Sequence, residues 1–213
     1  MTLSLLAIDT SGARLQLALA YDGKTDFLVK EVSLSRFSKG FAEIIFAEIA
    51  DLLKRNDFSY QQLERICVAT GPGSFTGLRV GIATAQGLGL GLDIEVLGLP
   101  NLLALSLSES SLCDELKSKS DQSFTIMIDA RRDEVFVQNF IKAGVPKDEP
   151  VLLGKKQAEE IYDNSNKKII TNSIIDMKKM IDFAYKMKRE NFPASPCYIR
   201  QADAKISTKG IVF

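Results

Sequence analysis

Residues 71–91, GPGSFTGLRVGIATAQGLGLG, join a glycine-rich loop to a helix with glycine at several internal positions, a combination that restricts packing more than any other stretch of the chain. The apolar run 66–69 before it reads as a buried strand, so GPGSFTGLR lies at a strand-to-helix junction. Gly71, Gly73 and Gly77 permit positive φ and close backbone approach. Ser74 or Thr76 can cap the helix, whose first-turn N–H groups face outward at the positive end of its dipole. With Arg79 adding charge, the loop is a candidate nest for a phosphate or carboxylate, although a tight turn with no ligand gives the same pattern. It is not a Walker A loop, because no Lys follows Gly77 at the required place.

Within the helix, Gly77, Gly81, Ala85 and Gly89 recur every fourth residue and therefore share one face. Each internal glycine costs about 1 kcal/mol of helix stability relative to alanine. Such a stripe suits a helix that must be approached closely, either by another helix or by its own sheet. The neighbouring segment 37–55, FSKGFAEIIFAEIADLLKR, bears on that choice. Its apolar residues, among them Phe41, Ile45, Phe46 and Ile49, spread over about 180°, wider than the roughly 100° that one core contact needs. Two adjacent helices with surplus packing surface predict a helical interface with a partner. The expected contact set is Phe41, Ile45, Phe46 and Ile49 with Gly77, Val80, Gly81, Thr84, Ala85, Leu88 and Gly89.

Upstream, residues 3–8 form an apolar run ending in Asp9-Thr10-Ser11-Gly12, a buried strand followed by a turn. Asp9, Thr10 and Ser11 can hold Mg²⁺ through water and touch a phosphate; equally, Asp9 can cap the turn by accepting backbone N–H groups. Residues 15–21 lead into Asp22-Gly23, a hairpin signal with an expected loop longer than two residues and a third strand over 27–32. Further elements are a strand at 95–99 and a short helix from Asn101. A polar stretch, 108–123, then divides the chain into expected lobes 1–110 and 111–213.

The second lobe begins again with FTIMIDARRDEVFVQNF, which echoes LLAIDTSGARLQLALAY and sets Asp129 opposite Asp9. Asp129, Arg131, Arg132 and Asp133 fit a solvated turn and a ligand patch equally well. A helix is expected near 154–162, a strand at 168–171, a helix over 174–189 with a wet lysine-rich face, and an irregular tail. Strands in hairpin order followed by strands alternating with helices, twice over, predict an α/β fold. The architecture expected is two-lobed, actin-like and ribonuclease H-like, with duplicated mixed sheets covered by helices.

The 213 residues contain no histidine, which excludes a Ser-His-Asp triad, a Cys-His dyad and histidine metal sites. Lys plus Arg equals Asp plus Glu at 27 each, which argues against broad, sequence-independent nucleic-acid binding. Cys67, Cys113 and Cys197 form no Cys-x-x-Cys pair and read as reduced thiols. The opening MTLSLLAIDTSG has no basic leader region, and the longest uncharged run, 80–92, is too short to span a bilayer. A cytoplasmic chain with no membrane contact is expected.

Four segments in order, LLAIDTS, GPGSFTGLRVGIATAQGLGLG, IDARRDEVF and the tail PCYIR at 196–200, give the chain a close resemblance to the bacterial TsaB (YeaZ) family of tRNA threonylcarbamoyladenosine biosynthesis proteins. The resemblance implies an actin-like (ASKHA) fold and a role in forming N6-threonylcarbamoyladenosine at position 37 of tRNAs that read ANN codons. In that family a larger paralogue, TsaD, catalyses the transfer and carries the metal-binding histidines. The smaller subunit is its non-catalytic partner and pairs through the two helices of the first lobe. A small ATPase, TsaE, joins them, tRNA is reached through the complex, and the subunit forms a homodimer when alone. No catalytic residue and no metal site are implied. No firmly bound cofactor is expected either, ATP or ADP with Mg²⁺ being confined to the heteromeric complex. Family members often carry a histidine just before the first helix, where Phe37 stands here, which weakens any vestigial metal site. Two other functions stay open on the residues. One is an independent actin-like phosphotransferase using Asp9 and the glycine loop; the other is a glycoprotein-cleaving peptidase, which the missing histidines leave without ligands or base.

Overall fold

The computed structural model describes residues 3–31, 40–108, 123–162, 168–171 and 174–199. The expected lobe boundary, Cys113 and Phe37 lie outside them. The first lobe runs β1 (Leu5–Asp9), β2 (Arg14–Tyr21), β3 (Lys24–Glu31), α1 (Phe41–Lys54), β4 (Arg65–Gly71), α2 (Phe75–Leu92), β5 (Glu95–Pro100) and α3 (Asn101–Ser108). The second contains β6 (Phe124–Arg131), β7 (Glu134–Lys142), β8 (Val145–Pro146), β9 (Val151–Gly154), α4 (Lys155–Tyr162), β10 (Lys168–Ile170) and α5 (Met177–Ala184).

Every residue of β1 is buried, as a strand covered on both faces demands. Alternation splits its side chains between two cores: Leu6 and Ile8 join the cluster beneath α1 and α2, while Leu5 and Ala7 join a second cluster. That second cluster contains residues of both sheets, with α3 and α5 packed between them. Arg65 adds a polar tie there: it donates to the carbonyl of Ala184 at the end of α5 (2.7 Å) and pairs with Glu95. A cation at a helix C-terminus is favoured by the dipole.

The first sheet has the order β3-β2-β1-β4-β5, and the second contains β10-β6-β7 with β8 and β9 both beyond β7. In each lobe the first strand is antiparallel to the second and parallel to a later one: β4 beside β1, and β10 beside β6. The path β9-β7-β6-β10 thus repeats β3-β2-β1-β4, which is the duplication the sequence echo predicts. The second copy is reduced, covered by the eight-residue α4 where the first carries helices of 14 and 18 residues.

Some local expectations are corrected. Asp22 and Gly23 both have positive φ, and Tyr21 pairs directly with Lys24, so the β2–β3 loop is a two-residue turn and β3 starts three residues earlier than expected. The helix expected over 174–189 is confined to Met177–Ala184, capped by the Asp176 carboxylate, which accepts from the Lys178 and Lys179 amides. The described part of the tail is not loose. Residues 192–198 run as a strap along β5 and β4: Gly98 N–H donates to Phe192 O, and Cys197 N–H donates to Thr70 O (both 2.8 Å). The Gln86 amide of α2 also donates to Ala194 O at 2.7 Å.

Strand β3 lies at a sheet edge with Phe27 and Val29 exposed, an arrangement that invites pairing with another chain. Its hydrogen-bonding groups at Phe27 are occupied. The Phe27 amide donates to Asp26 Oδ1 (2.8 Å), and the Phe27 carbonyl accepts from Arg55 Nη2 (2.7 Å). Arg55 Nε and Asn56 Nδ2 both donate to Asp26 Oδ2 at 2.7 Å. Partial burial pushes the Asp26 carboxyl up, but the bonds from Asn56 and Arg55 outweigh it and hold it below the usual aspartate value. Arg55→Ala frees this edge, so light scattering is expected to show concentration-dependent self-association above that of the parent. Because the folded Asp26 titrates below the unfolded one, its contribution to stability is full above the ordinary aspartate range and lost as pH falls through the folded value. Asp26→Asn is therefore expected to flatten that part of the acid limb in denaturation midpoints measured against pH.

Candidate functional site

The turn after β1 and the loop before α2 meet each other. Asp9 is buried, and its carboxylate accepts from the Ser11 amide (2.8 Å) and from Gln16 Nε2 (3.0 Å). Of the two readings open for Asp9, the geometry is that of the capped turn. The same turn recurs in the second lobe, where Asp129 accepts from the Arg131 amide at 3.0 Å. There, Arg131, Arg132 and Asp133 all have positive φ and lie exposed at the hairpin tip.

Thr10 and Ser11 press directly on the glycine segment. Thr10 Oγ1 donates to Gly77 O (2.7 Å), and the Ser74 amide donates to Ser11 O (2.7 Å). Ser74, not Thr76, caps α2, accepting from the Gly77 amide at 3.3 Å. A Cβ on Gly73 would lie 2.6 Å from Ser11 O, and one on Gly77 only 2.0 Å from Thr10 O. Gly71 has positive φ; Gly73 and Gly77 serve close approach instead. The structure thus brings Asp9, Thr10, Ser11, Gly71, Gly73, Ser74 and Gly77 together, but the concavity expected for an anion is lined by groups bonded to one another. Thr76 and Arg79 are exposed and make none of these contacts.

Asn101 is the residue that sequence reasoning missed here. Its buried side chain accepts from the Gly71 amide (2.9 Å) and donates to Pro72 O (3.1 Å), which needs the paired acceptor and donor of an amide. An Asn after Pro at a strand end reads only as a helix start, so nothing in the sequence marks this contact across 30 residues.

The small-residue stripe requires a correction. A Cβ on Gly81 would lie 2.3 Å from Thr10 Oγ1, and one on Gly89 would lie 2.2 Å from Val96 Cγ2; Thr84 and Ala85 are buried too. The groove expected to receive a partner helix is filled by β1, its turn and β5. Phe41, Ile45 and Ile49 are likewise buried in the core beneath α1. Periodicity identifies which face is small, and a sheet underneath produces the same period as a helix above. Phe46 is 54% exposed, and Val80 and Leu88 are half-buried.

The outward face of α2 carries a different repeat. Thr76, Val80, Ala83, Gly87 and Leu90 are spaced four, three, four and three apart, and Leu90 is 87% exposed. That is the alternation of a helix seam, and it was the sequence signal for this surface. Beside it, α1 presents Ala42, Phe46, Ala47 and Ala50 to solvent. The two helices are in contact, so their small and apolar exposed residues lie side by side around Phe46 and Leu90, with Glu43 of α1 and Arg79 of α2 as charged neighbours.

Two lobes repeating one mixed-sheet topology, with helices packed between them, define the chain as an actin-like α/β protein. The model of the family "TsaD: tRNA N6-adenosine threonylcarbamoyltransferase" matches residues 35–196, and the chain belongs to that family. It is 32% identical over 146 residues to the tRNA threonylcarbamoyladenosine biosynthesis protein TsaB of Haemophilus influenzae, covering 68% of this chain and 57% of the relative. The TsaB protein of Bacillus subtilis is 31% identical over 134 residues, covering 63% and 53% respectively. The chain thus spans about half the length of the curated relatives it matches. The solved structure of YeaZ from Pseudomonas aeruginosa superimposes with a TM-score of 0.70 at 20% identity, covering 92% of this chain and 99% of that one, a likeness of fold. No helix among the described residues is long and apolar enough to cross a membrane.

Two glycines of α2 separate inward from outward roles. Gly77→Ala is expected to lose about 1–3 kcal/mol from overpacking against Thr10. Gly87, with nothing within 4 Å of an added Cβ, is expected to gain up to about 1 kcal/mol on change to Ala. Urea denaturation of the two variants checks both signs.

Proposed function

We propose that this chain is the non-catalytic partner subunit in the assembly that forms N6-threonylcarbamoyladenosine at position 37 of ANN-decoding tRNAs, acting in the cytoplasm. Its similarity to TsaB proteins supports the pathway. The observation that carries the partner role is the outward α1–α2 surface: a seam of Thr76, Val80, Ala83, Gly87 and Leu90 beside Phe46, Ala47 and Ala50. Small residues let a second pair of helices approach closely, and Phe46 and Leu90 supply apolar area to bury. The occupant is the catalytic paralogue TsaD, with a second copy of this chain taking its place when the subunit is alone. TsaE joins that complex, and tRNA is met through it. A chain without histidine brings no imidazole base and no imidazole metal ligand of its own, which fits a subunit that supports chemistry carried elsewhere. ATP or ADP with Mg²⁺ belongs to the assembled complex in this reading.

Co-expression with the cognate paralogue followed by gel filtration tests the surface. Ala83→Arg and Phe46→Asp are expected to abolish co-elution and the tRNA modification that depends on it, while the denaturation midpoint of the isolated subunit stays near that of the parent. Co-elution that survives both changes would place the contact elsewhere. Modification at the full rate in the absence of the subunit would remove the supporting role.

A further inference from the structure

At the start of α2, beside the helix seam, three π faces are set in a row. Phe75 is the first residue of the helix and is 54% exposed; Tyr198, on the strap, is 58% exposed. Their ring centroids are 6.0 Å apart, inclined by 40°. Arg79, one turn further along α2, lays its guanidinium over the Phe75 ring, 3.9 Å from the centroid. Among the described residues, the other aromatic pairs are used for packing: Phe124 stacks on Phe140 inside the core, Phe183 meets Phe192 edge-on, and Tyr21 tilts against Phe58 at the edge of the first core. Phe75 and Tyr198 instead leave much of their ring surface in water.

The backbone that carries each ring is anchored by its neighbour. Tyr198 follows Cys197, whose amide is bonded to Thr70 O at 2.8 Å, and Phe75 follows Ser74, bonded to Ser11 and capping the helix. A rigid aromatic surface loses little entropy on binding. Arg79 is the one charged residue of α2, and among the described residues no carboxylate pairs with it. An unneutralised guanidinium beside open rings matches a planar ligand that carries negative charge. Nucleobases attached to phosphate are such ligands: they stack on aromatic and guanidinium faces, while the cation meets the phosphate. An aliphatic helix would use neither the planarity nor the charge.

We propose that Phe75, Arg79 and Tyr198 form a stacking site for a nucleobase, with Arg79 matched to its phosphate. A free nucleotide and a single-stranded RNA segment share this chemistry. The inference is independent of the assembly reading, since it concerns the isolated chain.

The test is fluorescence anisotropy of a labelled oligoadenylate with the full chain, with unlabelled AMP and unlabelled oligoadenylate as competitors. Binding is expected, weakened roughly ten-fold or more by Tyr198→Ala and by Phe75→Ala, as for loss of a stacked base. Tyr198→Phe keeps the ring and is expected to bind like the parent; Arg79→Gln is expected to weaken binding and flatten its salt dependence. Displacement by AMP assigns the site to a free nucleotide, and displacement by the oligomer alone assigns it to a strand; either supports the proposal. The absence of any binding overturns it, as does binding that Tyr198→Ala and Phe75→Ala leave unchanged. Loss of the complex with the paralogue in these variants, with no nucleobase binding by the parent chain, also overturns it and makes the rings a protein contact. Tyr198→Ala, at the exposed strap, keeps the test sound if Phe75→Ala alters the start of α2.

Discussion

The position of α2 depends on one close contact, between the backbone of Thr10 and the glycine face of the helix. Thr10 follows the strand that carries both cores on its two faces, so whatever seats against it is fixed relative to the whole molecule. Its carbonyl occupies the space a side chain at Gly77 would need, and its hydroxyl does the same at Gly81 while bonding to Gly77 O. Helix, strand end and loop are thereby locked at backbone distance. The outward seam of α2 and the α1 surface beside it inherit that rigidity, as does Phe75 at the helix start.

Much of the architecture was legible from residue pattern. Continuous apolar runs gave the buried strands, and the echo of LLAIDTS in FTIMIDA pointed to two copies of one unit, which the strand order bears out. What pattern could not supply was direction. Gly77, Gly81, Ala85 and Gly89 announce a close approach without saying from which side, and the approach comes from the sheet. The contact residues read from the width of α1 fail for a related reason: Phe41, Ile45 and Ile49 are apolar because they are buried beneath the helix, while Phe46 is the member of that set left outside.

Other parts of the junction were beyond reach because they join residues far apart in sequence. Asn101 fastens Gly71 and Pro72 from the next strand end, and the strap reaches Thr70 and Gly98 from about a hundred residues away. Local propensity describes such segments as loop and helix cap, which they are, and is silent on what they hold. The short turn at Asp22-Gly23 is the opposite case: a local signal strong enough to set its own register, obscured by the charged residues that follow it.

The strap also bears on the order in which the molecule can be assembled. The first lobe is complete only when residues 192–198 lie along β5 and β4 and reach α2 through Gln86. During synthesis the ribosome delivers those residues long after the strands they cover, so the glycine loop waits, uncovered on that side, while the entire second lobe emerges. Contacts of such sequence separation slow folding and leave apolar surface open in the interim. The two lobes resemble one another in plan, yet the first matures last.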